Sequence, residues 1–293
     1  MISLVKYSVG HIYVIAALSI FYYLHTTGMN TILVYYIASA CLIVLTQFLE
    51  WTLPYEKRWN TPNHQMANEV GHTLISAGIG HNIGRAIAIG LLGTLAASWA
   101  KDGAVWWPRG LPAVLQVLIA FAAWDLGVYW SHRIMHSYAW RVHHLHHKLE
   151  RLSWVNSGYG HPIQFVLTSL FDFSLLLLSG APSEIIVFTI YLSGALNFLP
   201  HANVDMKMGP LNYILATPEL HRWHHAVAPK GTMRNLGMQL IIWDIIFGTY
   251  YRPSRGDPVG PSALGSPGSQ PRGFLQQWMA PFMRKTPPHW DTM

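Results

Sequence analysis

An all-α, polytopic membrane helical bundle is the fold class this sequence predicts, and three observations predict it. Hydrophobic residues make up 51% of the chain and charged residues only 11%, against roughly 25% charged in soluble domains. Apolar runs of spanning length recur near residues 9–27, 31–53, 72–100, 111–131, 163–180 and 183–200, and about 20 such residues cross a bilayer as a helix. Thirteen Trp and fourteen Tyr are the side chains that favour the membrane–water interface. The mean hydropathy of +0.24 agrees.

Each element follows from its local sequence. The run 9–27 is long and lacks a small-residue cleavage site, so it reads as a first span rather than a removable signal. Thr27 to Asn30 joins it to 31–53 and is too short to hold a domain. Residues 54–71 form a polar loop with Glu56, Lys57, Arg58 and Trp59. The run 72–100 is long and contains His81 and Arg85, and either a single crossing or a re-entrant hairpin fits it. Gly180 to Ser183 predicts a tight link between the last two spans. Residues 132–162 and 201–235 are polar. Leu236 to Tyr251 is apolar but short, which suits a helix on the membrane surface or against the polar regions. The Pro, Gly and Ser after Pro253 predict an irregular tail, with interfacial contact from Phe274, Trp278 and Phe282. The chain thus divides into N-terminal spans (1–47), a central region (48–251) and a tail (252–293).

Counting sides from a cytoplasmic N-terminus puts loop 54–71, region 132–162 and everything after residue 200 on the cytoplasmic side. Arg133, Arg141, Lys148, Arg151, Arg222, Lys230 and Arg234 then lie inside, as the positive-inside bias prefers. The net charge of +6 is spread along the chain, which predicts loops beside a membrane and no nucleic-acid partner. The single Cys41 excludes a disulfide framework and any cysteine-based zinc site.

Eleven of the seventeen histidines fall between His132 and His225. Nine of them, all but His161 and His201, form three tight groups: H-R-I-M-H from His132 to His136, H-H-L-H-H from His143 to His147, and H-R-W-H-H from His221 to His225. Residues at i and i+4 of a helix share a face. His132 with His136, His143 with His147, and His221 with His225 can therefore each point into one site, and His146 and His224 at i+3 join them. Eight imidazoles are too many for one ion, which takes about four ligands, and suit a dinuclear site. With the count of sides, the fold class becomes a bundle with a cytoplasmic histidine-rich di-metal site. Imidazole suits zinc, copper, iron and nickel. A zinc peptidase needs Glu within H-E-x-x-H, and Arg133 and Arg222 stand at that position here. A redox pair of irons that activates O2 fits a membrane setting, because lipid C–H bonds need such an oxidant.

The three groups, together with Asp125 to Arg133 (DLGVYWSHR), Thr217 to His225 (TPELHRWHH) and Asn235 to Tyr250 (NLGMQLIIWDIIFGTY), resemble the fatty acid hydroxylase / sterol desaturase superfamily. The resemblance covers roughly residues 48–251. Gly209-Pro210-Leu211 and Thr217-Pro218 are similar to alkylglycerol monooxygenase-like and bacterial sterol-desaturase-like members. Membership implies two iron ions in a non-haem di-iron centre and O2 as co-substrate. It also implies a lipid substrate from the bilayer, hydroxylated or desaturated, and a separate cytochrome b5-like or ferredoxin-like electron donor. The location implied is the endoplasmic reticulum of a eukaryote or the inner membrane of a bacterium. The ligands carried over are His132, His136, His143, His146, His147, His221, His224 and His225, with His201 (in L-P-H-A-N) as a ninth. His161 matches an H-P element in which Gln164 replaces the usual acid, leaving it as a metal ligand or the partner of one. Asp125 and Asp244 are candidates to bind an imidazole N–H. No catalytic residue beyond the ligands is implied.

Other readings compete. His144 breaks the spacing and reads as exposed or as a partner of a ligand. His72 and His81 read first as histidines satisfied within their helices, and Trp124, Tyr129 and Trp130 as interfacial packing. For the whole chain, the alternative is a membrane metal transporter or metal-binding protein with a histidine-rich cytoplasmic site. Transporters, however, place ionisable ligands near the bilayer midplane, whereas these groups flank the spans. A haem protein with paired axial histidines would leave most of them unused.

Overall fold

A computed structural model describes residues 2–101, 107–227, 233–252, 264–266 and 271–283. Lys230 and most of the tail beyond Pro253 lie outside the described residues. Among those described, every extended element is helical, and the only β pairing is three isolated bridges.

α1 (Ile2–Thr26) and α2 (Thr31–Thr52) form the expected hairpin. Gly28 turns the chain at φ +74°, a conformation that costs glycine little. The Asn30 side chain caps α2 by accepting the N–H groups of Ile32 at 3.0 Å and Leu33 at 3.4 Å. α3 (Met66–Gly71), a π-helical turn (His72–Ala77) and α4 (Gly78–Lys101) follow without a break. The 72–100 run is therefore one continuous helix and not a hairpin. α5 (Ala113–Tyr138) leads to the short α6 (Trp140–His143). α7 (Pro162–Ser179) ends on Gly180 at φ +69°, and Pro182 stands at the N-cap of α8 (Ser183–His201). α9 (Pro218–His224), α10 (Ile242–Phe247) and α11 (Phe274–Met279) are short.

Among the described residues, five helical stretches are long and apolar enough to cross a membrane: 32–52, 66–99, 113–138, 162–179 and 183–201. α1 covers nearly all of the predicted first span, and its stretch Leu4–Ile20 is apolar. Ile12, Ile15, Val44, Phe48, Leu74 and Leu118 are all exposed. Such outward apolar side chains are the expected surface of helices solvated by lipid. The protein is a multi-pass membrane protein.

Small residues let the helices close on one another, as they do where no hydrophobic force acts between helices in lipid. A Cβ on Gly84 of α4 would lie 2.5 Å from the Val166 carbonyl oxygen of α7, and one on Gly127 of α5 only 2.8 Å from Asp172 Cα. Gly84→Leu is expected to lower stability by about 1–3 kcal/mol through overpacking. Gly90→Leu, which has nothing within 4 Å, should leave it unchanged, and thermal unfolding in detergent compares the two.

The two ends of the bundle differ. At one, Arg109 donates to the Gly180 carbonyl at 3.3 Å, tying the α5 entrance to the α7–α8 turn. At the other, the Glu50 carboxylate at the foot of α2 accepts the N–H groups of Trp154 at 2.8 Å and Asn203 at 2.9 Å. Lys6 of α1 pairs there with Asp205, and Arg151 pairs with Glu69 at 2.7 Å. The start of α1, the ends of α2, α5 and α8, and all three histidine groups meet at this second end.

The segment after residue 270 departs from the expected irregular tail. α11 docks on the protein: Gln277 Oε1 contacts His72 Nε2 at 2.9 Å, Trp278 Nε1 donates to Ser76 Oγ at 2.9 Å, and Phe274 lies against the His72 ring. Phe282 alone of the three expected contact residues is largely exposed.

Candidate metal centre

Nine buried histidines meet in two adjacent groups. One holds His132, His136, His143, His147 and His224; the other holds His146, His201, His221 and His225, and within each group the ligand atoms lie within 4.8 Å of one another. His132 and His136 come from the last turns of α5, and His143 from α6. His146 and His147 sit on a single 3-10 turn. His201 ends α8, and α9 carries His221 and His224, with His225 at its C-cap.

The i, i+4 pairs behave as the spacing predicts, but the i+3 members do not. His146 leaves His143 and His147 for the second group, while His224 leaves His221 and His225 for the first. α6 ends at His143 and a tighter turn follows, so the side-chain directions of a continuous α-helix do not hold there. Each of the two later boxes thus lends one imidazole to the other box's centre. That exchange locks the two centres together.

The nitrogens fit a metal. His132 Nε2 is 3.0 Å from His143 Nε2, His136 Nε2 is 3.2 Å from both His132 Nε2 and His147 Nε2, and His221 Nε2 is 3.1 Å from His225 Nε2 and 3.3 Å from His201 Nε2. Metal–imidazole bonds of about 2.0–2.1 Å put neighbouring ligand atoms roughly 2.9–3.4 Å apart. Buried His224 Nε2 has no hydrogen-bond partner among the described residues, an omission that coordination would repair.

Partners on the far side fix the orientation of four of the rings, while Nδ1 of His147, His201, His221 and His225 has no hydrogen-bond partner among the described residues. His132 Nδ1 meets the Leu236 carbonyl at 2.6 Å, His146 Nδ1 the Tyr159 carbonyl at 2.8 Å, and His224 Nδ1 the Arg234 carbonyl at 2.9 Å. His143 Nδ1 meets Gln164 Oε1 at 2.9 Å. A carbonyl acceptor requires a proton on Nδ1, which leaves the Nε2 lone pair facing the centre. Burial, then the neighbouring imidazoles, hold His143, His147, His221, His224 and His225 well below the usual imidazole range, and burial pushes His146 down to about 4. These rings are neutral at pH 7, the form that binds metal.

Other expected site residues lie elsewhere. His161 is in neither group: it caps α7, its Nδ1 accepting the Ile163 N–H at 3.2 Å, and its Nε2 faces the Trp278 carbonyl at 2.9 Å. Its position before Pro162 makes it a helix cap, and the neighbouring Gln164 reaches the ligand instead. Asp125 binds no imidazole; it accepts the backbone N–H groups of Gln239 at 3.2 Å and Leu240 at 3.0 Å. Asp244 acts at one remove, since its carboxylate accepts the N–H groups of Leu236 and Gly237, both at 2.7 Å, and so holds the loop whose carbonyl meets His132. His144 is buried rather than exposed, with Nε2 at 2.8 Å from Ser266 Oγ. His72 and His81 are satisfied by Ser76, Gly160 and Gln277, and by Ser169.

A cavity of about 270 Å³ reaches the histidines, with His132, His143 and His146 in its wall and Trp124, Val128 and Phe165 nearby. Trp124, expected as interfacial packing, instead lines this space. Sequence reasoning missed Gln164 as a ligand's partner, although its place one turn into α7 after His161 was a usable signal.

Known proteins are similar to this chain in sequence. A family profile described as fatty acid hydroxylase matches residues 117–249. The ornithine lipid hydroxylase OlsE of Rhizobium tropici is 33% identical over 269 residues, covering 89% of this chain and 78% of that protein. The alkylglycerol monooxygenase of Homo sapiens is 36% identical over 135 residues, covering 45% of this chain and 29% of that protein. The very-long-chain aldehyde decarbonylase GL1-8 of Oryza sativa subsp. indica is 27% identical over 151 residues, covering 48% of this chain and 54% of that protein. No solved structure matches the chain significantly. These relatives are enzymes, and none supports the metal-transport alternative. With histidine boxes that converge as described and a relative aligned over most of both chains, this protein belongs to the fatty acid hydroxylase family.

Proposed function

We propose that this protein is an integral membrane non-haem di-iron oxygenase that uses O2 and two electrons to hydroxylate or desaturate a lipid. The observation that carries the reading is the pair of adjacent, buried all-histidine groups, three of whose rings line a cavity within the bundle. Bound iron would supply oxidation of an unactivated C–H bond by O2. His132, His136, His143, His147 and His224 would hold one ion, and His146, His201, His221 and His225 the other. The carbonyls of Leu236, Tyr159 and Arg234 and the amide of Gln164 keep four of the rings aimed. The walls of the cavity, in which Trp124, Val128 and Phe165 stand near the histidines, would set which carbon of the substrate lies beside them, a positioning effect.

The names of the relatives suggest an amino-acid-containing lipid or an ether lipid as substrate. A sterol or fatty acyl chain fits the same chemistry. The basic residues at the histidine end, among them Arg133, Arg141 and Arg151, favour a cytoplasmic active site by the charge rule. That face would also receive a separate cytochrome b5-like or ferredoxin-like donor. Lipid mass spectrometry of cells with and without the gene tests the reading. A lipid that gains one oxygen atom or loses two hydrogens only when the gene is present is the expected result, and an unchanged lipid profile would contradict it.

A further inference from the structure

The cavity beside the histidines does not end in hydrocarbon. Arg85 of α4 and Asp172 of α7 both line it, together with Gln239. Both charged residues lie near the middle of membrane-length helices. Ionisable side chains at such depth are costly, and are kept where they pair or line a functional cavity. Among the described residues no ion pair within 4 Å involves either, although the Arg85 charge acts on the Asp172 carboxylate at longer range. Asp172 is only 1% exposed, and its Oδ1 has no hydrogen-bond partner; Gln239 Oε1 is likewise buried and unpartnered.

The placement is set by backbone packing. Gly127 lies against Asp172 and precedes His132 by five residues on α5, about 8 Å along a helix. On α7, Asp172 follows Gln164, the partner of His143, by eight residues, about 12 Å. A cation and an anion therefore face one space within reach of the histidine centre. An apolar chain entering this cavity would leave Asp172 Oδ1 without a hydrogen-bond partner. A ligand that carries an anion and a cation of its own would satisfy both.

We propose that Arg85 and Asp172 form a head-group subsite for a zwitterionic, amino-acid-type lipid. Its carboxylate would bind the Arg85 guanidinium and its ammonium the Asp172 Oδ1. This assignment rests on the reading of the protein as a lipid oxygenase and names the substrate class of that site. At about 270 Å³ the cavity is at the small end for ligand pockets, which suits a polar head whose acyl chains stay in the bilayer.

The test measures equilibrium binding of four defined probes to the purified full-length protein in detergent. They are Nα-lauroyl-ornithine, which carries both charges, its methyl ester, its Nδ-acetyl derivative and the uncharged dodecylglycerol. The wild type should bind the doubly charged probe about tenfold more tightly than the methyl ester or the acetyl derivative, the factor expected for one charge-assisted contact, and about a hundredfold more tightly than dodecylglycerol, which loses both. Arg85→Gln should abolish the preference over the methyl ester, and Asp172→Asn the preference over the acetyl derivative. Equal binding of all four probes by the wild type, or no binding of lauroyl-ornithine, would overturn the subsite without any variant having to fold. A preference that survives both substitutions would overturn it too. Oxidation of dodecylglycerol by iron-loaded protein that shows no charge preference would remove the subsite and leave the oxygenase reading standing. Failure of the iron-loaded protein, given O2 and a chemical reductant to supply the two electrons, to oxidise any lipid would count against the oxygenase reading instead.

Discussion

Replacing His143 with Ala is expected to abolish lipid oxidation and to lower bound metal in the same step. His143 Nε2 stands 3.0 Å from His132 Nε2 and 3.1 Å from His147 Nε2, so its loss opens the first group at its middle. Substitutions of mere partners of metal-binding histidines cost roughly 10–100-fold in affinity or activity, and removal of a ligand should cost at least the upper figure. His221→Ala should do the same through the second group, where His221 contacts both His201 and His225. His144→Ala is the control. That ring lies in neither group and should spare both metal content and turnover, apart from a small loss of stability where it contacts Ser266. Activity assays with metal analysis on the three variants check this. Full turnover by the His143 variant would remove its group from the chemistry.

Asp244→Ala should be the most damaging substitution outside the histidines. Its carboxylate accepts two backbone N–H groups of the 236–237 loop and the Thr249 hydroxyl at 2.6 Å, and the site is buried. Burial raises its pKa, against the opposing pull of those bonds. Removing it strands buried donors at about 1–3 kcal/mol each and frees the Leu236 carbonyl that orients His132. The expected result is a lower unfolding midpoint together with roughly 10–100-fold weaker metal binding. Thr249→Val removes only the hydroxyl and should cost about 1 kcal/mol, with metal retained. Metal titration and thermal unfolding separate the two effects. A destabilised Asp244 variant that still binds metal as the wild type does would show that the loop does not orient His132.

The sequence made the bundle legible because its signals are local. Gly28 and Asn30, and Gly180 and Pro182, mark the two hairpins, and the i, i+4 histidine pairs are visible as spacing. What could not be read depends on where a helix stops. His146 changes centre because α6 gives way to a tighter turn after His143, and no periodicity announces that break. Asp125 lies on the predicted face, yet its partners are backbone groups of Gln239 and Leu240, more than a hundred residues away. The docking of α11 on His72 and Ser76 is likewise non-local, and a Pro- and Gly-rich setting concealed it. Arg85 stood out as a charge within an apolar run, whereas Asp172 was passed over although it is the same kind of signal. Only the packing of α7 on α4 and α5 puts the two in one cavity.

If the nine histidines build two metal centres that act as a unit, elemental analysis of the purified full-length protein should find about two iron ions per active chain. Iron and lipid turnover, measured on the same samples, should fall together when either group loses a ligand. Full turnover with a single metal ion per chain would contradict a two-centre unit.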